Sequence, residues 1–274
     1  MVASPSTSEP LAVQSSPTLL AGLIVVVLTT LLPAPLRARQ PIPAPLRARQ
    51  PIPAPAESPD LRPIFNGRDL EGWDGDPRLW SVRDGAIRGE TTDAVPCKGN
   101  TFLIWKGGTP GDFELRLSFR CSASNNSGIQ YRSRHVTEGN PPNPWVVRGY
   151  QHELRNELRF PNVAGFIYDE GGTRGRLTGV GETVVWHATG KPTVTATGPD
   201  QAAFDKLFRL DDWNDVVIHA AGTRIRHFLN GVQVVDFTDA DPDRALRDGL
   251  LALQLHAGKP MWVEFRAIRF RPLR

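Results

Sequence analysis

Arg224-Ile225-Arg226-His227-Phe228-Leu229-Asn230-Gly231-Val232-Gln233-Val234-Val235-Asp236 reads as two β-rich runs that meet at Asn-Gly. Tight hairpin turns need positive φ at both central positions, and Asn-Gly supplies it at low cost, so the stretch predicts an antiparallel hairpin. Asp84-Gly85, between Trp80-Ser81-Val82-Arg83 and Ala86-Ile87-Arg88-Gly89, repeats the signal. Further strand-like runs are Thr101–Trp105, Phe113–Arg120, Gly165–Tyr168, Asn214–Ala220 and Trp262–Phe270. Gly, Pro, Asn and Asp separate them, and helical periodicity is almost absent. The fold class predicted is all-β, an antiparallel β-sandwich of the jelly-roll kind, over residues 57–274. Within it Thr137–Trp145 and Thr189–Asp200 read as long loops.

Three strands share one pattern. In Asn125–Ser133 alternation puts Gln130 and Arg132 on one face and Ile129 and Tyr131 on the other. Gly149–Leu154 likewise pairs Gln151 with Glu153, and Leu251–His256 pairs Gln254 with His256. If the apolar faces close a common core, these six polar side chains line one surface, with Asn126 at its turn. The alternative is the ordinary wet face of an antiparallel sheet.

The N-terminal 56 residues have a different composition. Leu19–Leu32, LLAGLIVVVLTTLL, is uncharged and short for a membrane span, which suits the apolar core of a signal peptide or an N-terminal anchor over residues 1–32. The expectation is export to the periplasm or outside the cell, with a membrane tether through residues 19–32 if the segment stays uncleaved. Pro33–Ile42, PAPLRARQPI, is repeated letter for letter at Pro43–Ile52, and the Pro-rich stretch 33–56 reads as an extended linker. Of 32 Lys and Arg, Arg37, Arg39, Arg47 and Arg49 precede Glu57, and of 29 acidic residues only Glu9 does, leaving 28 of each sign in the folded part. A neutral domain has no basic field for nucleic acid, so none is expected as a partner.

Cys97 and Cys121 flank Thr101–Trp105 and Phe113–Arg120. If Trp105 pairs with Phe113 across the turn-rich loop between them, an unbulged register carries on to set Cys97 opposite Cys121, within reach of a disulfide in an exported protein. The other reading is two buried free thiols.

No Cys/His metal motif, G-x-S-x-G elbow or phosphate loop occurs. The groups on offer are amides, carboxylates, imidazoles and guanidiniums beside aromatic rings, a set that suits a carbohydrate ligand. The sequence also resembles a known family. FNGRDLEGW (Phe65–Trp73), FELRLSFR (Phe113–Arg120), NSGIQYRS (Asn126–Ser133), GYQ-x-E (Gly149–Glu153), WND (Trp213–Asp215), LNG (Leu229–Gly231) and LQLHAG (Leu253–Gly258) occur in the order found in the 3-keto-disaccharide hydrolase domain family. The resemblance spans Ile64–Leu273, and departs from the family at Leu154-Arg155-Asn156, where an acidic residue is expected. It implies a concanavalin A-like jelly roll and cleavage of glycosides oxidised at C3, as a hydrolase or as a lyase with later hydration. The ketone acidifies the C2 hydrogen, so a base, Glu153 or His256, removes it while a cation supports the enolate. Arg132 is the expected cation; a divalent metal held by Glu153 and His256 is the other candidate. Asn126, Gln130, Gln151 and Gln254 are the expected sugar binders. A non-catalytic lectin-like module on the same fold is the competing expectation.

Overall fold

The structure is a computed structural model that describes residues 50–273. The signal or anchor at 1–32, the tether at 19–32 and the linker up to residue 49 lie outside the described residues. Among the described residues no helix is long and apolar enough to cross a membrane. In chain order the strands are β1 (Arg62–Pro63), β2 (Trp73–Asp74), β3 (Trp80–Arg83), β4 (Ala86–Glu90), β5 (Thr101–Trp105), β6 (Phe113–Cys121), β7 (Ser127–His135), β8 (Val147–Leu154) and β9 (Ile167–Glu170). Then come β10 (Gly175–Arg176), β11 (Glu182–His187), β12 (Pro192–Ala196), helix α1 (Gln201–Leu207), β13 (Asn214–Ala221), β14 (Arg224–Leu229), β15 (Val232–Ala240), β16 (Leu250–Leu255) and β17 (Trp262–Pro272).

These strands form an antiparallel-rich β-sandwich of the concanavalin A-like class. The larger sheet runs β12-β11-β15-β14-β13-β6-β17-β4-β3, with β1 added against β17, and the smaller runs β10-β9-β8-β7-β16-β5-β2. Ile129, Tyr131 and Tyr150 of the smaller sheet bury against Phe113, Phe237 and Phe265 of the larger in one core. Burial of such side chains stabilises by roughly 1.5–3 kcal/mol each. Both sequence-predicted hairpins form. Asn230 and Gly231 have φ of 46° and 84°, and Leu229 faces Val232 across the turn. Asp84 and Gly85 have φ of 49° and 74°, with Arg83 facing Ala86.

Four expectations are corrected. The loop after Trp105 is a crossing between sheets: β5 pairs with β16 and β2, whereas β6 pairs with β13 and β17. Without the β5–β6 hairpin the register that opposed Cys97 to Cys121 does not exist, and both are free thiols, Cys121 buried and its pKa pushed up to about 12 by that burial. The strand expected at Gly165–Tyr168 is shifted to Ile167–Glu170, because Gly165 takes a φ of 116° that breaks the extended run. Thr189–Asp200 is not wholly loop, since Pro192–Ala196 pairs with β11 as an exposed edge strand. Asp200 then caps α1, its side chain accepting from Ala203 N, a start signal that a search for long helical periodicity passes over.

Candidate active site

On the outer face of the smaller sheet, cross-strand pairing aligns Glu153 with Gly128, Gln151 with Gln130 and with Tyr168, and Gln130 with Ala252. Part of this face is closed by a small apolar cluster of Phe102, Ile104, Val147 and Ala252 under Trp145. The rest opens into a polar pocket of about 750 Å³ lined by Asn126, Gln151, Glu153, Arg155, Tyr168 and His256 among others. That volume is in the range of small-molecule sites.

A one-way chain of hydrogen bonds runs from behind the pocket lining up to Glu153. Ser133 Oγ donates to Gln130 Oε1 at 2.7 Å, Gln130 Nε2 to Gln151 Oε1 at 2.8 Å, and Gln151 Nε2 to Glu153 Oε2 at 2.8 Å. Each amide accepts on oxygen and donates on nitrogen, which orients every group in the row. The remaining carboxylate oxygen, Oε1, accepts from Arg155 Nε at 3.0 Å, and Arg155 packs its guanidinium over Phe166. Gly128 makes room for this row, since a Cβ there would overlap Gln151 Cδ. Glu153 is 3% exposed. Burial pushes its carboxyl up, Arg155 and Gln151 pull it back, and the outcome is a pKa of about 7.

His256 stands at another wall of the pocket with Nδ1 2.6 Å from Ala257 O. A carbonyl only accepts, so Nδ1 is the donor of this bond and Nε2 is the ring nitrogen left for the pocket. Asn126 is held by its backbone amide, which donates to Asn125 Oδ1 at 2.9 Å, while its own Oδ1 is buried without a partner. Asn100 Nδ2 donates to Glu170 Oε1 at 2.8 Å and fixes the far side.

Of the residues expected from sequence, the structure brings Glu153, His256, Gln151 and Asn126 to one pocket and puts Gln130 directly behind Gln151. Gln254 is fully buried on β16 outside the lining, both its amide atoms without a partner. Arg132 is elsewhere. β7 is irregular between Tyr131 and Arg134, and Arg132 has a φ of 50°, so alternation fails there and Ser133 joins Gln130 instead. The Arg132 guanidinium, fully buried, donates to the carbonyls of Gly111, Gly222 and Leu246 and to Asp112. It ties three connections together and cannot serve an enolate. Sequence reading missed Arg155, Tyr168 and Glu170; alternation carried one period past Glu153, and applied to Ile167–Glu170, finds them.

A divalent metal fits these residues poorly. Among the described residues no three His, Cys, Asp or Glu side chains gather as a ligand set.

Solved structures resemble the chain to different degrees. A proposed glycosyl hydrolase from Parabacteroides distasonis ATCC 8503 superposes with a TM-score of 0.51 at 19% identity over 78% of this chain and 99% of that one. A second from the same organism gives 0.48 at 20% identity over 78% and 94%. The carbohydrate-binding module CBM66 from Bacillus subtilis gives 0.44 at 14% over 72% and 93%. No curated protein matches the chain significantly. A family model does match, over residues 60–271, so the chain belongs to the 3-keto-alpha-glucoside-1,2-lyase-like domain family, and a glycan-related role is supported.

Proposed function

We propose that this chain cleaves the glycosidic bond of sugars that carry a ketone at C3, with Glu153 as the base that opens the reaction. The observation that carries the reading is a buried carboxylate in the wall of a polar pocket, kept available by only one guanidinium. The resemblance to the lyase-like family points the same way. Glu153 takes the C2 proton. The C2–H electrons form C2=C3 and the ketone becomes an enolate beside Arg155, among the described residues the one cation bonded to Glu153. The enolate then re-forms C3=O, a double bond forms between C1 and C2, and the C1–O bond breaks. The leaving oxygen regains a proton from the carboxylic acid at Glu153. Water added later across C1=C2 completes hydrolysis. His256 Nε2, Asn126 and Gln151 hold sugar hydroxyls.

The test is to incubate the protein with a 3-keto-disaccharide and with its unoxidised parent. Release of the leaving group from the oxidised sugar only is expected. Glu153→Gln should lower kcat by about 10²-fold or more and change affinity little, as removal of a base does. Binding of both sugars without turnover would favour the lectin-like module, and near-normal turnover by Glu153→Gln would refute the assignment of the base.

A further inference from the structure

A second cavity, of about 390 Å³, lies between the residues just before β3, the loop from β4 to β5 and the loop before β8. Its volume is in the range of small-molecule sites. Cys97 lines it, and the Cys97 thiol donates to His256 O at 3.7 Å, so this cavity and the active pocket share the wall that carries His256. Hydrogen bonds hold the walls in place. Asn143 Nδ2 donates to Lys98 O and to Asn100 O, each at 3.1 Å, while Asn143 Oδ1 accepts from Trp145 N at 3.0 Å. Trp145 Nε1 donates to Asp74 Oδ1 at 3.1 Å. Gly99, at a φ of 70°, lets Pro142 close on the loop from β4 to β5, since a Cβ there would overlap the Pro142 ring.

The lining sets the chemistry of what fits. Leu79, Pro96, Pro142, Pro144 and Trp145 offer apolar faces. Asp76 and Arg78 are paired with each other at 2.5 Å and Lys98 is exposed, so a charged occupant would lose hydration without gaining a counter-ion inside. Thr101 is the exception in the wall. It is 1% exposed, and its buried hydroxyl has no hydrogen-bond partner among the described residues. A polar group buried unpaired costs about 1–3 kcal/mol, and such groups are rare enough in folded proteins to call for a partner. A threonine oxygen both donates and accepts, so one hydroxyl on an occupant satisfies it. A sugar brings more hydroxyls than this lining can pair. A phenol brings one, and its ring lies against proline and tryptophan faces. We propose that the cavity is a second ligand site, for a small neutral phenol, with Thr101 pairing the hydroxyl and Pro142, Pro144 and Trp145 covering the ring. The site stands independently of the reaction proposed at Glu153, and its occupant presses on the Cys97 wall from behind His256.

Cys97 is the reporter for the test. Cys121 is buried with its pKa pushed up to about 12, so N-ethylmaleimide labels Cys97 first, and the mass of the intact full chain reads the rate. Phenol should slow the labelling in a saturable way, and methyl glucoside should not. Thr101→Val replaces the hydroxyl by a methyl of the same shape, and should weaken protection by phenol about fivefold relative to protection by toluene. That hydroxyl has no partner to lose, so urea unfolding of the variant should match the parent. Pro144→Asp, at an exposed part of the wall, should weaken protection by both compounds. Labelling unmoved by phenol, up to concentrations that leave the circular dichroism unchanged, would overturn the site. Equal or better protection by methyl glucoside would overturn its ligand class. A phenol-to-toluene ratio untouched by Thr101→Val would overturn the pairing with Thr101.

Discussion

Glu114-Leu115-Arg116 on β6 and Glu153-Leu154-Arg155 at the end of β8 are two of three copies of one tripeptide, the third being Glu157-Leu158-Arg159, and in each of these two a buried glutamate accepts from the arginine two residues on. On the larger sheet a second guanidinium, from Arg271, also donates to Glu114. Burial pushes Glu114 up, but Arg271 and Arg116 together outweigh it and hold the carboxyl below its usual range. Glu264 is treated the same way by Arg88 and Arg120, which in turn lie over Trp262. On the smaller sheet the second partner of Glu153 is the neutral amide of Gln151, burial wins, and the pKa is about 7. One guanidinium more or less separates a carboxylate that holds the sheet from one poised to take a proton.

The largest expected effect of breaking this contrast is on the larger sheet. Arg271→Leu leaves Glu114 with one cation and should cost about 3 kcal/mol in urea unfolding at pH 7, mostly restored by adding Glu114→Gln. A loss under about 0.5 kcal/mol would show that the second guanidinium is ornamental there.

The pH dependence of stability sharpens the contrast. Glu153 is raised from the usual 4.5 to about 7, so its stabilising share is full below pH 4.5 and is lost as pH rises through 7. His227, fully buried with its ring 4.4 Å from that of His152, is lowered from the usual 6.5 to about 4 by burial. Its share is full above pH 6.5 and is lost as pH falls through 4. Across the shared window the two slopes oppose. His152 is lowered by burial as well and slopes the same way as His227, so Glu153→Gln removes the slope that opposes the histidines, and between about pH 4.5 and 7 the variant should gain about 3 kcal/mol more than the parent does. Equal curves for the two proteins would contradict the buried, raised carboxyl.

Smaller effects are expected at its supports. Gly128→Ala forces a methyl against Gln151 and should cost about 1–3 kcal/mol with loss of turnover, measured by unfolding and kinetics together. Arg155→Met takes away the lone cation, so the rate should need a pH about one unit higher or more. An unmoved profile would mean that Arg155 does not act on Glu153.

How much of this could be read from sequence depends on how local the cause is. Asn230-Gly231 and Asp84-Gly85 declare their hairpins because the φ requirement sits inside the dipeptide. Glu153, Gln151 and His256 were legible because strand alternation is local too. Arg132 was misplaced because one residue at positive φ reverses the face of everything after it, and nothing in its residue type announces that. Lys106–Asp112 reads alike as a hairpin turn or as a passage between sheets, and only strand pairing decides, taking the Cys97–Cys121 bridge with it. The two Glu-Leu-Arg tripeptides with buried glutamates are the clearest case. Their difference comes from Arg271, which lies 157 residues along the chain from Glu114.

The most direct test is the pH profile of kcat/KM on a 3-keto-disaccharide. A rise with an apparent pKa near 7, the value set by burial of Glu153, is expected, and it should disappear in Glu153→Gln. A rate that is flat from about pH 5 to 9, or the same rise persisting in Glu153→Gln, would contradict it.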